Sequence, residues 1–134
     1  EALGAATISP WRMEVVTTPG GATLINDAYN ANPTSMSAAL TALGALPARR
    51  RVAVLGEMAE LGADAEALHH EMVSQARSLG IEVVAVGTDA YGIAEVPPAD
   101  AAAVLSSLGE GEAALVKGSR VAGLEQLVSW VVGG

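Results

Sequence analysis

Residues 52–55, 81–86 and 113–116 are short and almost wholly apolar, and stretches with helical periodicity separate them. The run 52–55, this brief and lacking polar alternation, fits a strand buried on both faces. Each run stops at a glycine or a charged residue: Gly56, Gly87 and Lys117. The intervening stretches supply the crossovers. Leu68, Met72, Val73, Ala76 and Leu79 mark a helix over 63–79, with Gly80 as its C′ residue. An Ala-rich helix over 98–108 follows Pro97, and Val121, Leu124, Leu127, Val128 and Val131 mark a last helix.

Upstream, the β-branched runs 13–18 and 22–26 flank Pro19-Gly20-Gly21. Proline fixes φ near −65° and the following glycine accepts φ > 0, so this segment reads as a hairpin. Asn32 is a suitable N-cap and Pro33 a suitable first helical residue. Met36, Ala39, Leu40, Leu43 and Leu46 then extend a helix over 33–46. The pattern predicts an α/β, Rossmann-like, doubly wound and mostly parallel sheet, with an antiparallel hairpin at its N-terminal edge.

The 134 residues suit one domain, expected over 13–134, with 1–12 as a linker or entry segment. The start, Glu1-Ala2-Leu3-Gly4, has neither an initiator Met nor a signal-peptide pattern, which suggests a piece of a longer chain. Half the residues are hydrophobic (51%), yet Phe is absent and there are two Trp and two Tyr, so the core must be aliphatic. A net charge of −8 argues against nucleic-acid or anionic-membrane partners. Arg49-Arg50-Arg51 reads as a solvated loop rather than a binding patch. Without cysteine there is no disulfide, thiolate metal site or Cys nucleophile. No run approaches the roughly 20 apolar residues that span a bilayer, so no membrane insertion is expected.

In such a sheet, ligands bind at the carboxyl ends of the strands. The residues just past each strand are therefore informative: Asp27-Ala28-Tyr29-Asn30-Ala31-Asn32-Pro33, Gly56-Glu57-Met58-Ala59-Glu60-Leu61-Gly62, Gly87-Thr88-Asp89 and Lys117-Gly118-Ser119-Arg120. Asp27 at a strand end can accept two hydroxyl protons, as a ribose diol would offer; equally, Asp27 and Asn32 can cap a turn and a helix. Lys117-Gly118-Ser119-Arg120, at a helix N-terminus, can hold a carboxylate or phosphate, or its cations can pair with Glu112 or Glu125. There is no P-loop and no dinucleotide-binding glycine fingerprint. His69 and His70 are adjacent within a helix and so point apart; His69 reads as a packed or capping residue, not a catalytic base.

Four motifs occur in order: Ser9-Pro10-Trp11-Arg12-Met13-Glu14-Val15; Asp27-Ala28-Tyr29-Asn30-Ala31-Asn32-Pro33-Thr34-Ser35-Met36; Leu55-Gly56-Glu57-Met58-Ala59-Glu60-Leu61-Gly62 followed by His69; and Val116-Lys117-Gly118-Ser119-Arg120. Together they resemble the C-terminal domain of the Mur ligases over essentially the whole chain. The Tyr-Asn-Ala-Asn run and the Lys-Gly-Ser-Arg run point, within that family, to members that add D-Ala-D-Ala to UDP-N-acetylmuramoyl-tripeptide in peptidoglycan synthesis.

The resemblance implies a cytoplasmic, monomeric ligase that uses ATP and Mg²⁺ and proceeds through an acyl phosphate. N-terminal and central domains of the same polypeptide would carry the P-loop and the metal ligands, so this chain alone is expected to be inactive. It implies that Asp27 contacts the ribose and Arg12 the ribose and phosphates, Arg12 supporting catalysis. Tyr29, Asn30 and Asn32 would lie on the nucleotide side, and Lys117, Ser119 and Arg120 on the side of the incoming dipeptide. No metal ligand is expected here. Other readings are a different Mur or folylpolyglutamate-type ligase, or a non-catalytic nucleotide-binding module.

Overall fold

The computed structural model describes residues 15–26, 33–58 and 61–117, and the backbone of Glu14 and Asp27. β1 (Glu14–Thr17) and β2 (Thr23–Asp27) form the expected antiparallel hairpin. At its turn, Gly21 N–H donates to Thr18 O and Thr18 N–H to Ala22 O, both at 2.9 Å. The positive φ falls on Gly21 (+97°) rather than on Gly20. Gly20 answers a different requirement: a Cβ there would stand 2.2 Å from the carbonyl oxygen of Leu108.

α1 (Pro33–Ala45) begins at the expected proline and buries Met36, Ala39, Leu40 and Leu43. β3 (Arg50–Leu55) starts two residues before the apolar run. The solvated-loop expectation is therefore corrected for Arg50 and Arg51, which lie in β3, whereas Arg49 is exposed in the loop before it. Arg50 makes a two-pronged contact with Glu82 (2.7 and 3.1 Å), Arg51 donates to the carbonyl of Leu46, and Arg49 lies 3.6 Å from Glu112. Long aliphatic stems let Arg50 and Arg51 begin a strand while their heads reach partners at its edge.

A 3₁₀ turn (Gly62–Asp64) leads into α2 (Ala65–Ser78), and Gly80 follows it with φ +75°, as a C′ glycine should. β4 (Ile81–Val86) matches its expected bounds. β5 (Glu95–Val96) was not anticipated, since two residues are too few to carry a period. α3 (Pro98–Ser106) ends before the expected 108. Ser107 N–H still reaches Ala103 O, but Leu108 N–H turns to Leu105 O, closing the helix in a tighter turn with Leu108 buried. β6 (Glu112–Lys117) extends one residue past each end of its apolar run. The helix expected around Val121 to Val131 and the linker expected over 1–12 lie outside the described residues.

The six strands run in the order β1-β2-β6-β3-β4-β5. All neighbours from β2 to β5 are parallel, and only β1 is antiparallel. Successive strand residues point to opposite faces, and both faces are covered. Ile25, Ala53, Leu55, Ala85 and Leu115 pack beneath α1 and α2 with Leu40, Leu43, Met72 and Val73. Leu24, Val52, Val54, Val86, Ala114 and Val116 pack with Ala101 and Leu105 of α3. The sheet is thus doubly wound, as the alternation of elements predicts, and among the described residues its two apolar clusters are aliphatic apart from Tyr91, with His69, Thr18, Thr88 and Lys117 as the buried polar residues.

Candidate functional site

Because the five strands from β2 to β5 are parallel, their carboxyl ends share one edge of the sheet. Asp27 ends β2 level with Lys117, and Lys117 ends β6 level with Leu55 of β3. Gly56 N–H donates to the carbonyl of Lys117 at 2.9 Å, so the exits of β3 and β6 are tied together. The start of α1 comes after β2, and the start of α2 after β3, so both helix N-termini face this edge. The topology therefore sets the ends of β2, β6 and β3 side by side. Thr88, just past β4, is buried, and its Oγ1 accepts the Ala90 N–H at 3.1 Å, shaping the loop that leads to Tyr91.

Lys117 departs from expectation. It belongs to β6 rather than to the start of a following helix, and its side chain is 1% exposed. Pairing with Glu112 is not the explanation. Glu112 opens the same strand, about 16 Å away at ~3.3 Å per residue, accepts the Gly109 N–H at 2.7 Å and lies beside Arg49. Asp27 stands at the expected strand end, and only its backbone position is described. Arg12, Tyr29, Asn30, Asn32, Ser119, Arg120 and Glu125 lie outside the described residues.

The most completely specified part of the edge is the segment after β3. His69, in the second turn of α2, is fully buried. Its Nε2 lies 2.9 Å from the Met58 backbone nitrogen, which has an N–H to give. Nε2 must therefore be the acceptor, and Nδ1 carries the proton and donates to the carbonyl of Ala65. His69 is a packed, hydrogen-bonded residue as the sequence suggested. His70 points the other way, towards solvent and Gly92.

Tyr91, on the loop after β4, stands edge-on to His69, with ring centroids 4.7 Å apart and planes at 79°. Its hydroxyl donates to Gly56 O at 2.7 Å. Burial pushes the phenol pKa well above its ordinary value, and the Glu57 carboxylate adds to the rise, so the hydroxyl remains a donor throughout the working pH range. The sequence reading missed Tyr91. Its signal was a tyrosine in the loop after a buried strand, in a chain without Phe.

The edge also borders a groove of about 380 Å³ between α1 and α2, lined by Pro33, Thr34, Ser37, Glu71, Met72 and Gln75. Gln75 spans it, donating to Ser37 O and Thr41 Oγ1. Among the described residues no group of three His, Asp or Glu side chains gathers to hold a metal ion, and no helix is long and apolar enough to cross a membrane.

A family model described as "Mur ligase, glutamate ligase domain" matches residues 11–132. The UDP-N-acetylmuramoyl-tripeptide--D-alanyl-D-alanine ligase of Mycobacterium tuberculosis is 39% identical over 155 residues, covering 90% of this chain and 30% of that protein. The ligase of the same name from Escherichia coli is 39% identical over 117 residues, covering 78% of this chain and 26% of that one. Among solved structures, the MurF ligase of Thermotoga maritima in complex with ADP is similar with a TM-score of 0.78 at 25% identity, covering 93% of this chain and 31% of that one. The chain therefore spans less than a third of the length of these relatives.

Proposed function

The chain belongs to the Mur ligase family through its C-terminal, glutamate ligase domain, and on that premise we propose that it is the nucleotide-facing domain of the cytoplasmic ligase that joins D-Ala-D-Ala to UDP-N-acetylmuramoyl-tripeptide. In this reading ATP phosphorylates the tripeptide's terminal carboxylate, ADP leaves, and the dipeptide amine displaces phosphate from the acyl phosphate. The rest of the polypeptide supplies the phosphate-binding loop and the Mg²⁺ ligands, and this chain alone is inactive.

The observation that carries the proposal is the shared exit of β2, β6 and β3, with Asp27 level with Lys117 and Lys117 level with Leu55. A nucleotide taken up by the segment after β2 and an amino component taken up by the segment after β6 would lie side by side, as acyl transfer from a phosphorylated carboxylate requires. Asp27 binds the ribose hydroxyls. Arg12 sits on the phosphate side, where a cation stabilises charge in transfer. Tyr29, Asn30 and Asn32 organise the nucleotide loop. Ser119 and Arg120 take the dipeptide carboxylate, while buried Lys117 contributes to the floor beneath them. Closure of the domain over the site excludes water from an acyl phosphate that would otherwise hydrolyse.

The test is steady-state ADP release by the full-length protein, with ATP and a panel of amino acids and dipeptides varied in turn. D-Ala-D-Ala should be the preferred acceptor. Asp27→Ala should raise the KM for ATP by about 10- to 150-fold, the range for a hydrogen bond to a charged group, while Arg12→Ala should lower kcat. Turnover with a single amino acid but not with the dipeptide would overturn the reading, as would a normal KM for ATP in Asp27→Ala.

A further inference from the structure

We propose that His69 and Tyr91 are positioning residues that fix the segment after β3 so that the exposed Glu57 carboxylate receives the ammonium group of the incoming amino component. The proposal rests on the ligase reading above. Its starting point is the backbone on either side of Glu57. The peptide unit before it presents the Gly56 carbonyl, which accepts the Tyr91 hydroxyl at 2.7 Å. The peptide unit after it presents the Met58 N–H, which donates to His69 Nε2 at 2.9 Å. Each of the two peptide planes flanking Glu57 is thus held by one buried ring, and the rings touch each other edge to face. His69 is itself fixed by Ala65 O, and Gly56 N–H is fixed by Lys117 O.

A surface loop that only turned the chain would satisfy these peptide groups with water. Here two polar side chains, at 0% and 1% exposure, are buried to do so. Burying polar groups is unfavourable unless they are fully bonded. Between them they immobilise a residue whose own side chain is exposed at the ligand edge.

The charge of that side chain selects its ligand. A carboxylate is repelled by nucleotide phosphates and by an acyl phosphate, so it calls for a cation. The acceptor dipeptide is a zwitterion, and its nucleophilic end arrives as an ammonium ion. β3 and β6 end side by side, and Gly56 just past β3 is bonded to Lys117 at the end of β6. Glu57 would then meet the ammonium end of the dipeptide beside the end of β6.

The experiment uses the full-length ligase, with ADP release measured while ATP, Mg²⁺ and D-Ala-D-Ala are varied separately. Absence of turnover with D-Ala-D-Ala in the unmodified protein would count against the ligase reading itself. Given turnover, Glu57→Gln should raise the KM for D-Ala-D-Ala by about 10- to 150-fold, the range for one charge-assisted hydrogen bond. The KM for ATP and the Mg²⁺ dependence should stay within about twofold. N-acetyl-D-Ala-D-Ala, which lacks the ammonium group, should inhibit the Glu57→Gln and unmodified enzymes equally.

Tyr91→Phe keeps the ring contact with His69 and should raise the dipeptide KM severalfold. His69→Leu should do the same, and His69→Gln, whose Oε1 can accept the Met58 N–H, should recover part of the loss. A purely structural pair would lower Tm in these variants without changing the ratio of dipeptide KM to ATP KM. That outcome, an unchanged dipeptide KM in Glu57→Gln, or a shift in Mg²⁺ dependence in its place, would overturn the proposal.

Discussion

Replacing His69 by Phe isolates one hydrogen bond. The ring is wholly buried, so a ring of similar volume keeps the edge contact with Tyr91 and leaves little cavity. The Ala65 carbonyl loses the Nδ1–H but lies in the first turn of α2, where the helix itself supplies a donor four residues on. The Met58 N–H has no such alternative. Met58 is 1% exposed, and its donor would be stranded. A buried donor left unsatisfied costs about 1–3 kcal/mol. With an unfolding entropy of about 2.1 cal/mol/K per residue, that range lowers Tm by about 4–11 °C in a chain of 134 residues. Thermal unfolding followed by far-UV circular dichroism gives the shift, and hydrogen exchange at the Met58 amide gives its location. A Tm within 1 °C of the parent, with Met58 still protected, would show that His69 does not hold this backbone.

Two other perturbations test the turn glycines and the strand-edge ion pair. Gly20→Ala drives a methyl to 2.2 Å from the Leu108 carbonyl, a rigid neighbour, whereas Gly80→Ala meets nothing within 4 Å and bears only its φ of +75°; urea midpoints should place the first about 1–3 kcal/mol below the parent and the second about 1 kcal/mol. The Arg50 guanidinium hydrogen-bonds Glu82 and holds its carboxyl below the usual range, so the pair stabilises the fold above that range and its contribution is lost as pH falls through the depressed pKa. Both side chains are substantially exposed, at 39% and 55%, which limits the effect to about 0.5 kcal/mol; Glu82→Gln should lower Tm by about 1–2 °C at pH 7 and not at all near pH 2.5, and an equal gap at both pH values would contradict the assignment.

The parallel strands were legible because burial on both faces leaves an unbroken apolar run, as in residues 52–55, and because each run ends where the next crossover begins. The same logic hid what surrounds them. Arg50 and Arg51 read as loop because their charge masks a strand start that cross-strand pairing with Glu82 and a bond to Leu46 O make acceptable. Leu108 prolonged the apparent helical stripe because it is buried, although the backbone has already left the helix. At the site, the strand-end rule located Asp27 and Lys117 by position alone. It did not foresee that Lys117 would be the last residue of its strand and buried. Helical spacing suggested that His69 packs inward, but its partners Met58 and Tyr91 belong to two other segments, which only the closed sheet brings together.

Packing alone does not account for that pair. Among the described residues the apolar interior is otherwise filled by Leu, Val, Ile, Ala and Met, and the chain contains no Phe. A Leu or Met at either position would meet the same need for volume without burying polar atoms. What distinguishes Tyr91 and His69 is one donor and one acceptor, directed at the two peptide groups on either side of Glu57. Tyrosine provides a hydroxyl at the end of a rigid ring, and burial keeps it protonated. Histidine provides an acceptor nitrogen whose opposite edge can be anchored to its own helix. The geometry of the backbone they hold, rather than the volume they fill, is the physical reason for these two residue types at these two positions.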